Sequence, residues 1–181
     1  MSVKVLFIYP NTYGMNMLPP AIALFSSLLK QRGYSVDLFD ATYYQTDHGV
    51  DSDGTKATRL NVVPFSPSEK GIKMRDTDWR DDIKAKVKTF QPDLIALSTT
   101  EDMWLLGARM LEEIEEFILR HRIPVIAGGV FPTFAPELVI RHHLVDMVCV
   151  GEGEVTLIDL CDRIKKGDSW NDVTNLWVKQ K

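Results

Sequence analysis

The run Leu94-Ile95-Ala96-Leu97-Ser98 has no polar alternation. Such a strand has to be buried on both faces, as in a parallel sheet covered by helices on each side. Pro92-Asp93 turns the chain into it, and similar short apolar runs recur. Val3 to Tyr9 is β-rich and ends at Pro10, Tyr34 to Asp40 reads as a second strand, Ile123 to Ala127 as a fourth, and Met147 to Val150 as a fifth. Helical periodicity fills the intervals. Leu18 to Arg32 has Pro19 and Pro20 in its first turn, an apolar stripe of Ala21, Leu24, Phe25, Leu28 and Leu29, and Gly33 as its stop. Trp79 to Phe90 carries Ile83 and Val87 on one face. Trp104 to Arg120 is the longest predicted helix, with Leu106, Met110, Ile114, Phe117 and Ile118 inward, and a short helix is expected over Pro136 to His142. Thr156 to Lys166 places Leu157, Leu160, Cys161 and Ile164 at i, i+3, i+4 and i+7 before Gly167.

This alternation predicts an α/β fold: a doubly wound, flavodoxin-like (Rossmann-like) five-stranded parallel sheet with helices on both faces, in the order 2-1-3-4-5. Asn175 to Val178 is a candidate for one more short strand. One stretch breaks the pattern. Ala41 to Asp78 is polar and nearly aperiodic, and reads as a long insertion loop, partly disordered or ordered by a ligand. The domain is expected over residues 1–166, with 167–181 as a linker.

An apolar fraction of 45% over 181 residues supports one full core and argues against disorder. The net charge of −4 offers no basic face, so neither nucleic acid nor an anionic membrane is an expected partner. There is no signal-peptide pattern and no apolar run long enough to span a bilayer, so the expected location is cytoplasmic. Cys149 and Cys161 fall in apolar segments and read as reduced core thiols. Glu112, Glu113, Glu115 and Glu116 read as a solvated helix face rather than a metal site, and His142-His143 as a surface pair at a helix end.

In doubly wound sheets ligands lie beyond the carboxyl ends of the strands, near the point where the strand order reverses. Four segments reach that edge: Pro10 to Met17, Ser98 to Met103, Gly128 to Thr133, and Gly151 to Glu154. Gly128, Gly129, Gly151 and Gly153 remove side chains there, while Ser98, Thr99 and Thr100 offer hydroxyls. Each glycine alone could serve only a tight turn; together they favour a ligand slot. No phosphate loop, G-x-G-x-x-G after the first strand, or G-x-S-x-G elbow is present, and Ser98 stands where a receiver domain needs an acidic phosphoacceptor. No catalytic or metal-ligating residue is assigned.

The segments Val36 to Thr42, Pro92 to Ser98, Ile126 to Thr133 and Val148 to Glu154 resemble the N-terminal cobalamin-binding domain of radical S-adenosylmethionine enzymes. The resemblance extends over nearly the whole chain, and Asn175-Leu176-Trp177 resembles the link into the radical domain. It implies cobalamin as cofactor, a C-terminal radical domain in cis, and S-adenosylmethionine and a [4Fe-4S] cluster in the full-length parent. Methyl transfer or related radical chemistry is the implied activity. Two departures stand out. The D-x-H-x-x-G motif, whose histidine ligates cobalt in corrinoid methyltransferases and mutases, is replaced by Asn11-Thr12-Tyr13-Gly14; the C-x-x-x-C-x-x-C cluster motif is absent. This chain alone is therefore not expected to generate a radical.

The implied cofactor contacts are Asn11, Thr12, Tyr13, Gly14, Ser98, Thr99, Thr100, Glu101, Met103, Trp104, Gly128, Gly129, Phe131, Pro132, Gly151, Glu152 and Gly153. The nucleotide tail is expected in a slot walled by Ser98, Thr99, Gly128, Gly129 and Gly151. Gly129→Val is expected to block uptake while leaving a cooperative fold. Trp104 is weighed equally as a cover over the cobalt face and as a packed helix residue. The alternatives left open are a flavodoxin-like flavin or electron-transfer module, for which Asn11 to Asn16 offers a faint phosphate loop, and a ligand-free docking domain.

Overall fold

The structure, a computed structural model, describes residues 2–12, 19–46 and 67–180. Its sheet has six strands: β1 Lys4–Tyr9, β2 Ser35–Asp40, β3 Leu94–Ser98, β4 Val125–Gly128, β5 Met147–Cys149 and β6 Leu176–Val178. The order is β2-β1-β3-β4-β5-β6. The first five run parallel in the predicted order. The sixth is a correction to the five-stranded expectation: β6 pairs antiparallel with β5 and closes the edge, so part of the expected linker belongs to the sheet.

Alternation along each strand divides the core in two. Leu6, Ile8, Ile95, Leu97, Val125, Ala127 and Val148 face one way. Val5, Phe7, Leu94, Ala96, Ile126, Met147 and Cys149 face the other. Helices α1 Pro20–Gln31 and α7 Glu154–Lys166 pack on the second face through Ile22, Leu29, Leu157, Leu160 and Cys161. Helices α2 Trp79–Phe90, α3 Glu101–Glu113 and α4 Glu115–His121 pack on the first, with the short α5 Val130–Phe134 and α6 Pro136–Ile140. Each fully buried aliphatic side chain contributes roughly 1.5–3 kcal/mol, so burial on both faces explains why β3 tolerates no polar residue before Ser98. Two carboxylates start the inner strands: Asp93 accepts from the Lys4 N–H at 2.9 Å, and Asp146 from the Val125 N–H at 3.0 Å.

Several expected boundaries shift for identifiable reasons. The stripe of α1 runs through Ile22, Phe25 and Leu29, with Leu24 exposed. The long helix begins at Glu101, so only Thr99 and Thr100 separate it from β3, and it breaks at Ile114. That break distributes the four glutamates. Glu113 pairs with Lys84 at 2.6 Å, Glu112 approaches His142 at 3.4 Å, and Glu115 approaches His143 at 3.1 Å. The segment after β4, expected as a loop, is helix α5; the Thr133 N–H closes its turn onto the Gly129 carbonyl at 3.2 Å.

The two described ends of the insertion are tied together. Tyr44 is buried, stacks on Phe39 and donates its hydroxyl to Asp82 at 2.8 Å, while Arg75 lies 4.9 Å over its ring. Burial and the bond to Asp82 push the Tyr44 phenol up to about 12. The expectation of low order for the rest of the insertion falls on residues 47–66, outside the described residues.

Candidate functional site

Strand order reverses between β1 and β3, and the sheet opens there at its carboxyl edge into two adjoining hollows. Both are lined by Ala21, Ser98 and Gly129. The narrow one, about 170 Å³, lies between the sheet and helices α1 and α7. Phe7, Ala96, Ile126 and Cys149 form its sheet wall, with Phe25 and Leu157 from the helices. Gly128, Gly151 and Gly153 reach it from the strand ends. The wider one, about 450 Å³, opens above β1 and β3 beside Tyr9, Asn11, Thr99, Thr100 and Met103. The largest groove, about 1600 Å³, lies at the opposite edge. Its carboxylates Asp93 and Asp146 are already committed to strand N–H groups.

Local geometry separates the glycines. Gly128 is an ordinary strand position facing the narrow hollow, and a Cβ there would meet only the Cys149 Cβ at 3.7 Å. At Gly153 a Cβ would stand 3.0 Å from the Phe25 ring and 3.6 Å from the Cys149 sulfur. Gly129 differs: its φ is +112°, and a Cβ would sit 2.6 Å from the Thr99 carbonyl oxygen. The backbone itself favours glycine at 129, so Gly129→Val carries strain and would lower stability along with uptake. Gly151, also at positive φ, donates its N–H to the Thr133 hydroxyl at 3.1 Å, which donates to the Gly129 carbonyl at 2.8 Å.

The hydroxyls differ in the same way. Thr99 donates to the Thr100 carbonyl at 2.8 Å. Asn11 is buried and donates to the Thr42 hydroxyl at 2.9 Å, which bonds Asp40. Thr12 and Thr100, however, hold buried hydroxyl oxygens with no hydrogen-bond partner. An unpaired buried hydroxyl is costly and calls for a partner that the described residues do not supply. Burial raises the Tyr9 phenol, with Asp40 adding to it. Burial also raises the Cys149 thiol, against the lowering effect of Thr156, so the narrow hollow has a neutral sulfur in its wall.

Ser98, Gly128, Gly129, Gly151, Glu152 and Gly153 line the narrow hollow. Asn11, Thr99, Thr100 and Met103 line the wider one, again with Ser98 and Gly129. Tyr13 and Gly14 lie outside the described residues. Thr12, Glu101, Trp104, Phe131 and Pro132 line neither hollow. Trp104 packs on the other side of the sheet, its ring 5.9 Å from Phe131 and 5.8 Å edge-on from His142. Burial lowers the His142 imidazole, with the Glu112 bond opposing. The sequence reading missed Phe7, Phe25, Ala96, Ile126, Cys149 and Leu157 as slot walls. Their signal was the same-face alternation of β1, β3, β4 and β5 near the strand ends. Among the described residues, no group of three His, Cys, Asp or Glu could hold a metal.

Residues 68–160 match the B12 binding domain family, and the chain belongs to that family. An uncharacterised methyltransferase of Pyrococcus horikoshii is 33% identical over 103 residues, covering 55% of this chain and 21% of that protein. Two solved structures are similar in fold. TsrM of Kitasatospora setae, a radical S-adenosylmethionine methyltransferase with tryptophan and an S-adenosylmethionine analogue bound, superposes with a TM-score of 0.71 at 17% identity over 99% of this chain and 29% of TsrM. OxsB, a cobalamin-dependent radical enzyme with aqua-cobalamin and S-adenosylmethionine bound, gives 0.69 at 19% identity, over 99% of this chain and 21% of OxsB. The chain thus spans between 21% and 29% of these relatives' length.

The residues present fit cobalamin. The narrow hollow, about 170 Å³, is walled mainly by apolar side chains and glycine, and at Gly128 and Gly153 a side chain would narrow it. The wider hollow has room beside it for a larger group, with the unpaired Thr100 hydroxyl on its lining.

Proposed function

We propose that this chain is the cobalamin-holding module of a longer radical S-adenosylmethionine enzyme, a methyltransferase or an enzyme of related radical chemistry. The observation that carries this reading is the paired hollow at the switch point: an apolar slot walled by glycine and a roomier recess beside it, whose lining includes Thr100 with its unpaired hydroxyl. Family membership favours cobalamin over a flavin.

In this reading Gly128, Gly151 and Gly153 let the nucleotide tail enter between β3, β4 and β5, while Phe25 and Leu157 exclude water from it. Thr100 hydrogen-bonds the corrin rim, and Asn11, held by Thr42, fixes the wall beside it. When bound, cobalamin supplies a carrier for a methyl group or an electron. A radical domain in cis would supply the cluster and S-adenosylmethionine and cover this edge. Val130 and Phe134, four residues apart on α5, are exposed there, Phe134 to 83%. A cytoplasmic setting agrees with the two buried free cysteines. No helix among the described residues is long and apolar enough to cross a membrane.

No histidine among the described residues lines either hollow. With the tail base held in the narrow hollow as well, bound cob(II)alamin is expected to show no nitrogen superhyperfine splitting in electron paramagnetic resonance. Such splitting would mean that an imidazole or the cofactor's own base occupies the axial position, against the reading. Trp104→Ala is expected to leave that spectrum unchanged and to lower stability by about 2–3 kcal/mol, since the ring packs on Phe131 and His142. An altered spectrum with unchanged stability would return Trp104 to the cofactor face.

A further inference from the structure

We propose that the narrow hollow selects among corrinoids by the base that ends the nucleotide tail, taking an apolar benzimidazole and discriminating against a purine. This rests on the reading that the tail enters this hollow. Corrinoids share a ring and differ in that base. The six-membered ring of a purine carries two acceptor nitrogens where dimethylbenzimidazole carries only carbon. Inside a protein those nitrogens need donors.

The apolar walls offer none; the donors stand at the mouth, in the Ser98 hydroxyl and the first-turn N–H groups of α7. Phe7, Ala96, Ile126 and Cys149 form its sheet side, with Phe25 and Leu157 facing them. The Phe7 and Phe25 rings stack with centroids 6.3 Å apart and an interplanar angle of 21°, presenting carbon to the cavity. The strands that supply the sheet side are paired: Phe7 sits opposite Ala96, and Ala96 opposite Ile126. Their main-chain groups serve the ladder rather than a ligand. Cys149 directs its thiol to the Glu152 carbonyl at 3.8 Å, and burial keeps it protonated. The polar side chains of the lining stand at the strand ends. Ser98 closes β3, Glu152 is exposed, and Glu154 begins α7. A carboxylate oxygen could accept from an adenine amino group but offers no donor to the two ring nitrogens.

Volume does not separate the two bases. An apolar cavity of about 150 Å³ takes up benzene, and this hollow, near 170 Å³ and open at one end, is of the size for either bicyclic base. Polarity decides. An unsatisfied buried acceptor is expected to weaken binding at least tenfold, about 1.4 kcal/mol.

The test measures equilibrium binding of the whole chain to three corrinoids: cobalamin, its adenine-containing analogue, and cobinamide, which has no nucleotide tail. Cobalamin binding at least tenfold tighter than the adenine form, with cobinamide also weaker than cobalamin, is the expected result. Equal affinity for cobalamin and the adenine form, both tighter than cobinamide, would overturn the selectivity and leave tail insertion standing. Equal affinity for all three would overturn both. Ala96→Ser adds one donor to the wall and is expected to narrow the ratio between the two bases. An unchanged ratio in a variant that still binds cobalamin would show that the discrimination does not arise from this wall.

Discussion

Gly129→Ala is expected to destabilise the fold by about 2–5 kcal/mol. Two effects combine: a non-glycine residue at φ of +112° carries strain of about 1–3 kcal/mol, and a Cβ 2.6 Å from the Thr99 carbonyl adds a packing clash of similar size. Neither neighbour yields easily. Thr99 bonds its N–H to the Gly128 carbonyl at 3.0 Å, and the Gly129 carbonyl takes both the N–H and the hydroxyl of Thr133. For a chain of this size the melting temperature should fall by roughly 5–15 °C. Thermal unfolding followed by circular dichroism checks this. A variant melting within a degree of the parent would show that the turn is not held as described.

Gly128→Val should do the opposite. Its backbone is ordinary strand, its nearest foreign atom lies 3.7 Å from the new Cβ, and valine favours strands. The fold is expected to keep its stability within about 1 kcal/mol. The added branches point into the narrow hollow between Ser98 and Cys149, where they take the room of the ligand. Cobalamin affinity should fall between tenfold and a hundredfold, the equivalent of about 1–3 kcal/mol of overpacking. Full affinity in a stably folded Gly128→Val protein would place the cofactor elsewhere. Adjacent glycines thus have separable duties, one in the turn and one in the slot.

Much of this was legible in the chain itself. Continuous apolar runs and intervening helical stripes are enough to dictate a two-sided parallel sheet, and the sheet's order then selects the carboxyl edge and its glycine-bearing loops. What was not legible follows from physics that acts beyond local pattern. The partners of the glutamates on either side of the break at Ile114, namely Lys84, His142 and His143, come from elements distant in sequence. Helix α5 begins only because Gly129 adopts a φ that no pattern of hydrophobicity reveals. β6 was a candidate strand, but three residues carry no periodicity that reveals its antiparallel pairing with β5. At the site, hydroxyl and glycine positions were readable because they cluster at strand ends. The apolar walls were not, since Phe7, Phe25 and Leu157 look like any core residue until the hollow between them is seen. Trp104 misled for the converse reason: a large aromatic beside a binding edge turned its ring towards Phe131 on the far face.

The most direct measurement is a titration of the purified chain with hydroxocobalamin, followed by removal of free corrinoid and a visible spectrum of the retained protein. One cobalamin per chain is expected for the parent and for Trp104→Ala, with loss of retention in Gly128→Val. No corrinoid retained by a well-folded parent chain, or equal retention by Gly128→Val, would contradict cobalamin binding at the carboxyl edge of this sheet.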